Sequence, residues 1–210
     1  MPLQNRVTPY GDIVATSARG TLMGNRGGQL HRADRTLTGR RWVSKAWIAC
    51  VLEYKGRRET TMAPGHYTQL FFLDEATALA AGHRPCALCR RDDYERFRHA
   101  WQQAEGLDRA PSAPWMDARL HADRLEAPRG GKRTYTASVA ELAPGVMLDL
   151  EGRPYLLLDD CLHPWSAQGY GEPRPAGGGK VAILTPASIV ATLRYGYTPG
   201  IHASCRGGGT

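Results

Sequence analysis

Apolar and polar positions alternate in two rhythms along the chain, and together they predict an α+β protein. The first 40 residues show no 3.6-residue period. Pro9, Gly11, Gly20, Gly24, Gly27, Gly28 and Gly39 punctuate them, which predicts loops and short strands. Trp42–Tyr54 is dense in aromatic and branched apolar side chains and reads as a buried strand, and Gln69–Leu73 as another. Asp74 is placed to N-cap a short helix, EATALAA, closed by Gly82. Between Arg90 and Glu105 the spacing of Tyr94, Phe97, Trp101 and Ala104 is helical. A second helix, Pro114–Glu126, is expected to turn Trp115, Ala118, Ala122 and Leu125 inward. From Lys132 the period becomes two: RTYTASV, then a hairpin turning at Gly152, then VAILT. Pro164–Lys180 reads as a long loop. Thr185-Pro186 predicts a last helix with Thr185 as its N-cap, Ile189, Val190 and Leu193 inside, and Gly196 at its end. The expected architecture is a basic N-terminal β/loop region over residues 1–110, then central helices and a small C-terminal antiparallel sheet with a terminal helix over residues 111–210, packed as one unit.

Composition changes this picture little. An apolar fraction of 42% and a charged fraction of 22% over 210 residues are those of a globular protein able to bury a core. No apolar run is long enough to span a membrane, and the start of the sequence lacks the apolar stretch of a secretory signal. Five clustered cysteines, an odd number, do not form a disulfide framework and fit a reducing compartment, so a cytoplasmic location is expected.

Charge changes it more. Residues 1–60 hold eleven Lys/Arg against four Asp/Glu, so they carry the entire net charge of +7. Such a field attracts phosphate backbones, and arginine adds bidentate phosphate contacts. DNA is therefore the expected partner, with Arg6, Arg19, Arg26, Arg40, Arg41, Lys45, Arg57 and Arg58 as its contacts. Trp165 and Tyr170 are candidates for stacking on a base. The competing readings are a solvated basic face and an aromatic loop packed on the sheet.

Cys86-Ala87-Leu88-Cys89 is the sharpest local motif, since two thiolates three apart at a turn can face one tetrahedral zinc ion. A redox pair is the rival, and two metal-free structural cysteines the plain alternative. The run Leu70–Arg91 around this motif resembles the metal-binding segment of Ada-type DNA alkylation-repair proteins. That resemblance implies structural zinc at Cys86 and Cys89. Cys50 is then a candidate third ligand, with His66, His83, Cys205 or no residue of the chain as a fourth. The methyl-accepting cysteine of that family has no assigned counterpart here.

The segments QNRVTPYGDIVATSARGTLMGNRG, LHADRL, PWSAQGYG and LTPASIVATLRYGY resemble a widespread bacterial family, and the basic, arginine-rich, zinc-bearing character of the chain is similar to that of the bacteriophage-defence DNA glycosylases. This likeness implies a hydrolase that flips out a modified base and excises it, in DNA repair or antiviral defence. Such an enzyme needs a base pocket, a polar group to steady water or the sugar, and a phosphate-binding rim. Asn5, Asp12 and Asn25, interleaved with Arg6, Arg19 and Arg26, are the first candidates, although Asn and Asp in glycine-rich loops also simply make turns. His121, oriented by Asp117 one turn earlier, is a candidate general base or a surface ion pair. Two alternatives stand beside base excision: a non-enzymatic zinc-containing nucleic-acid-binding regulator, and a metal-dependent nuclease using Asp159 or Asp160. No nucleotide or small-molecule cofactor motif is visible.

Overall fold

A computed structural model describes residues 1–56, 60–126 and 130–206 as an α+β fold. The first sheet contains β1 (Gln4–Val7), β2 (Ile13–Ala15), β3 (Leu22–Asn25), β4 (Ile48–Cys50) and β5 (Leu70–Phe72). After helix α1 (Glu75–Ala80), β6 (Arg84–Pro85) completes it in the order β2-β1-β5-β3-β4-β6. The β1–β5 and β4–β6 pairs are parallel and the rest antiparallel. Helices α2 (Arg91–Ala104) and α3 (Ala113–Arg124) follow, then a small hairpin, β7 (Leu125–Glu126) and β8 (Gly131–Lys132). The second sheet is built from β9 (Tyr135–Ser138), β10 (Met147–Leu150), β11 (Arg153–Leu158), β12 (Cys161–Ser166), β13 (Gly169–Tyr170), β14 (Arg174–Pro175) and β15 (Lys180–Ile183). Its order is β13-β12-β11-β10-β15-β9 with β14 beside β12, and α4 (Ala187–Arg194) closes the fold.

Helix α1 is the centrepiece, and its composition explains why. All six of its residues are buried, as expected for a helix without a polar face. Ala76 and Ala80 cluster with Met147, Leu156 and Leu184 of the second sheet region. Ala78, with Ala81 just beyond the helix, clusters with Val7, Ala49, Leu70 and Phe72 of the first. Leu79 joins the largest core, where Phe97, Trp101, Leu120 and Ile189 of the other three helices pack with Leu148 and Leu157. Small side chains let both sheets approach one helix.

Its ends are tightly specified. Asp74 accepts from Thr77 N at 2.9 Å, the N-cap the sequence predicts. The same carboxylate accepts from Tyr170 Oη at 2.8 Å and His202 N at 3.0 Å. Buried Glu75 pairs with Arg90 at 2.8 Å and accepts from Tyr197 Oη at 2.6 Å and Gly200 N at 2.9 Å. At the other end Gly82 has φ +85°. A Cβ there would lie 2.5 Å from Arg124 Cδ, so conformation and packing both require glycine.

Several expectations are corrected. Of Trp42–Tyr54 only Ile48–Cys50 is strand; the residues before it form a coil around Trp47, whose burial accounts for their apolar character. Helix α3 buries Met116, Asp117, Leu120 and Arg124, whereas Trp115 is 44% exposed and Ala118 and Ala122 are exposed too. The inward face was disguised because two of its members are charged. Thr185 does not cap α4; its hydroxyl accepts from Met147 N at 2.8 Å, stitching α4's approach to β10. Pro164–Lys180 is not one loop, since it carries the end of β12 and all of β13 and β14. No helix among the described residues is long and apolar enough to cross a membrane. Arg57 and Arg58 lie outside the described residues.

Candidate functional site

Where α1 ends, three cations drawn from distant parts of the chain come together, two of them on backbone carbonyls at the helix end. Lys132 Nζ donates to Ala80 O, and Arg124 Nη1 donates to Gly82 O at 2.8 Å. Arg124 also reaches Lys45 O at 2.8 Å, and Arg26 donates to Gly11 O at 2.8 Å. Trp47, 2% exposed, is contacted by both guanidinium groups, Arg26 at 4.0 Å and Arg124 at 3.7 Å from a ring centroid. Beneath them His83 is fully buried, 5.1 Å from Trp47 and 4.7 Å from Phe72 between ring centroids, and accepts from Arg26 Nε at 3.3 Å.

The electrostatics of this cluster are one-sided. Arg26 and Arg124 are each 1% exposed. Burial lowers both pKa values to about 9, helped by repulsion from Arg41 on Arg26 and from Arg26 on Arg124, so both stay cationic at neutral pH. Burial and the two arginines lower Lys132 to about 7 and hold His83 far below its ordinary range, hence neutral. Among the described residues none of the three cations has an ion-pair partner. Asp117 is committed to Arg84 by two bonds of 2.8 Å, and Asp12, whose side chain is 63% exposed, lies 3.4 Å from Arg41. Neutral carbonyls offset about 1.5–3 kcal/mol per charged hydrogen bond. They leave the net charge in place, and an uncompensated buried charge costs several kcal/mol. Arg124 Nε, buried, has no partner among the described residues. The arrangement is complementary to an anion.

Above the cations lies a cleft of about 140 Å³ lined by Gly11, Asp12, Ile13, Arg26 and Leu37–Arg41. A narrow recess, about 10 Å³ and thus the room of one water, leads to Tyr10, Trp47, Arg124 and Lys132. Four expected residues meet here: Asp12, Arg26, Arg40 and Arg41. His121 is close by, packed edge-on to Trp42 at 5.4 Å, with its Nδ1 2.9 Å from Arg124 Nη2. Its orienting partner is therefore Arg124, not Asp117, whose carboxylate Arg84 takes; burial and Arg124 lower its pKa. Lys45 contributes its carbonyl, while its side chain is exposed.

The other candidates lie apart from the cleft lining. Asn5 is buried and accepts from Arg6, which spans to Ala18 O at 2.6 Å and stacks on Phe71 at 4.8 Å. Asn25 accepts from Gly27 N at 3.0 Å, a turn-making role. Arg19 is exposed. Trp165 Nε1 donates to Thr77 Oγ1 at 3.0 Å and Tyr170 to Asp74, so both rings hold the second sheet to α1. Asp159 and Asp160 have φ of 49° and 55° and make the β11–β12 turn. Sequence reasoning missed Trp47, Arg124 and Lys132, and weighed His83 as a metal ligand, whereas it lies against Arg26. Only the buried Arg124, with Leu120 and Met116 one turn apart, leaves a spacing signal.

A second site is built on the first sheet's far edge. Adjacent strands β4 and β6 bring Cys50 and the Cys86–Cys89 turn together, and the three sulfurs all lie within 4.8 Å of one another. Sulfurs sharing one tetrahedral zinc ion sit about 3.8 Å apart, given a Zn–S bond of about 2.3 Å, so the group can hold a metal ion. Cys50 keeps its proton and shares it with the other two, which pushes its own pKa up. That hydrogen bond, with backbone N–H donors such as Leu88 N at 3.4 Å, lowers Cys86 to about 5 and lowers Cys89 as well. His66 is exposed and is not among these ligands; His83 instead faces Arg26. No disulfide joins the five cysteines. In comparisons with known proteins, no protein-family model, no curated protein and no solved structure matches this chain.

Proposed function

We propose that this protein acts on DNA, seating a backbone phosphate over Arg26 and Arg124, and that its reaction is excision of a base, modified bases included. The observation that carries this reading is the set of three converging cations, without a buried counter-ion, beneath an open cleft. Base excision also calls for flat surfaces against a flipped base and a carboxylate that steadies water or an oxocarbenium-like sugar. The half-buried Trp42, backed by Trp47 with ring centroids 6.2 Å apart, and the exposed Asp12 are suited to those tasks. Arg40 and Arg41 would meet flanking phosphates. The metal we assign to Cys50, Cys86 and Cys89 is zinc, which all-thiolate sets favour. Its role there is structural, tying β4 to the turn ahead of α2. Free thiols fit a reducing compartment, and we place the protein in the cytoplasm.

The test is incubation of the purified protein with unmodified and base-modified duplexes, phage DNA included, scoring released base and alkali-labile sites. Activity that disappears in Asp12→Asn while binding persists supports the reading. Tight, salt-sensitive binding with no turnover on any duplex supports instead a non-enzymatic zinc-containing regulator. That second reading is favoured by one observation: Asn5 and Asn25 are engaged in local bonds.

A further inference from the structure

We propose that the recess between Lys132 and Arg124 is a halide site, holding one chloride ion as the resident counter-ion of the buried cations. This goes beyond the DNA reading and does not depend on it. The outer cleft, lined by Arg26, Arg40 and Arg41, has room for a phosphate, whereas the recess has about 10 Å³, the room of one water. A phosphate, with four oxygens around phosphorus, is too large to enter. A water fits, but it leaves the charge uncompensated, which is what makes burying an ion costly. A monatomic anion is the smallest partner that cancels charge in that space.

The donors are in place. The Lys132 ammonium has three N–H groups and, among the described residues, one acceptor, Ala80 O. Arg124 gives Nη1 to Gly82 O and Nη2 to Lys45 O, while its buried Nε has no partner among the described residues. Tyr10 donates its hydroxyl to Asp149 and so offers the recess its ring. Trp47, Ala81 and Leu125 complete a largely apolar lining, which suits a weakly hydrated ion. Asp12, the acid that acts on Lys132, stays beside Arg41 with 63% of its side chain exposed. Gly11 and Arg41 line both the recess and the outer cleft, which makes the cleft the ion's way in.

Binding should be linked to pH. Lys132 is faced by Arg26 next to β3, by Arg124 of α3, by Arg41 and Asp12 of the N-terminal loops, and by the carbonyl end of α1. His83 and His121 nearby have lowered pKa values and stay neutral. Burial and the two arginines bring Lys132 to about 7. The site therefore carries its full charge below pH 7 and loses affinity for an anion as pH rises through that value.

The test is thermal melting of the full chain in sodium chloride against sodium gluconate at one fixed ionic strength, at pH 6 and pH 9. Each tenfold rise in chloride above its dissociation constant should raise Tm by about 3–6 °C at pH 6. Bromide should act as chloride does, and the response should shrink at pH 9. In gluconate the recess lacks its ion, and the pH dependence of stability then follows from the protein's own groups alone. Lys132→Met should raise the chloride concentration needed by about tenfold or more. A readout that needs no variant is the anomalous signal of bromide in crystals of the native protein, expected as a peak in the recess beside Lys132 Nζ. Equal melting in chloride and gluconate overturns the proposal, and an unchanged response in Lys132→Met overturns the assignment to that amine. Bromide peaks confined to the outer cleft or the lattice mean an adventitious ion only and overturn it too. Duplex binding measured in gluconate tests the DNA reading separately, so the two can fail independently.

Discussion

Replacing Lys132 by methionine tests the electrostatics of the cleft without any substrate. In the folded protein the amine titrates at about 7, against 10.5 when free. Between those values the unfolded chain binds a proton that the folded one does not, so stability rises with pH through the window from about 7 to 10.5. It is lowest, with respect to this group, below pH 7. Each pH unit in the window is worth up to about 1.4 kcal/mol, and the full fall in pKa corresponds to about 5 kcal/mol. Discounted for the exposed part of the side chain, about 2–3 kcal/mol is expected. For a chain of this size that is about 4–12 °C in Tm. Lys132→Met removes the dependence: its Tm should exceed that of the native protein near pH 7, less about 1 kcal/mol for the Ala80 carbonyl left without its donor, and the two curves should converge toward pH 10. Scanning calorimetry of both proteins from pH 6.5 to 10 reads this directly. Parallel Tm–pH curves would show that the amine is not held among unpaired cations and would refute the reasoning.

Three further outcomes are expected. Arg41→Ala should weaken DNA binding across sequences and reduce the slope of log K against log salt by about one, measured by anisotropy titrations at several salt concentrations. An unchanged slope would place Arg41 off the interface. Cys86→Ser/Cys89→Ser should lose about one equivalent of metal and lower Tm, read by elemental analysis and thermal melts; equal metal content would remove the site. Gly82→Ala should destabilise by about 1–3 kcal/mol in denaturant titrations. The added Cβ meets Arg124 at 2.5 Å in a left-handed conformation, and a neutral effect would mean that Arg124 does not pack there.

Elements with strong local signals were legible in the sequence. The Asp74 cap with Gly82, the Tyr94–Phe97–Trp101 face of α2 and the β10–β11 hairpin all follow from short-range chemistry. The cysteine cluster was legible by its spacing, and β4 adds the third thiol. What stayed hidden is whatever depends on pairing between distant residues. Spacing along α3 offered Asp117 to His121, but Arg84, brought alongside by β6, takes the carboxylate. Charge counting pointed to the first 60 residues, of which Arg26, Arg40 and Arg41 line the cleft, as does Asp12 from the glycine-rich loop. It missed Arg124 and Lys132 because they come from a segment whose charges cancel overall, and because Arg124 meets Arg26 only through Trp47, far away in sequence.

The ties from Asp74 and Glu75 to the segment around residues 197–202 carry a consequence for biosynthesis. Gly200 lies 125 positions beyond Glu75, and a ribosome adding about 5–20 residues per second needs about 6–25 s to reach it. Until then the two acids that begin α1 lack Tyr197, Gly200 and His202, and are held by Tyr170 and Arg90. The N-terminal end of α1 is therefore fully bonded only once residue 202 has been made, and a nascent chain halted before residue 197 should hold a weaker core around α1.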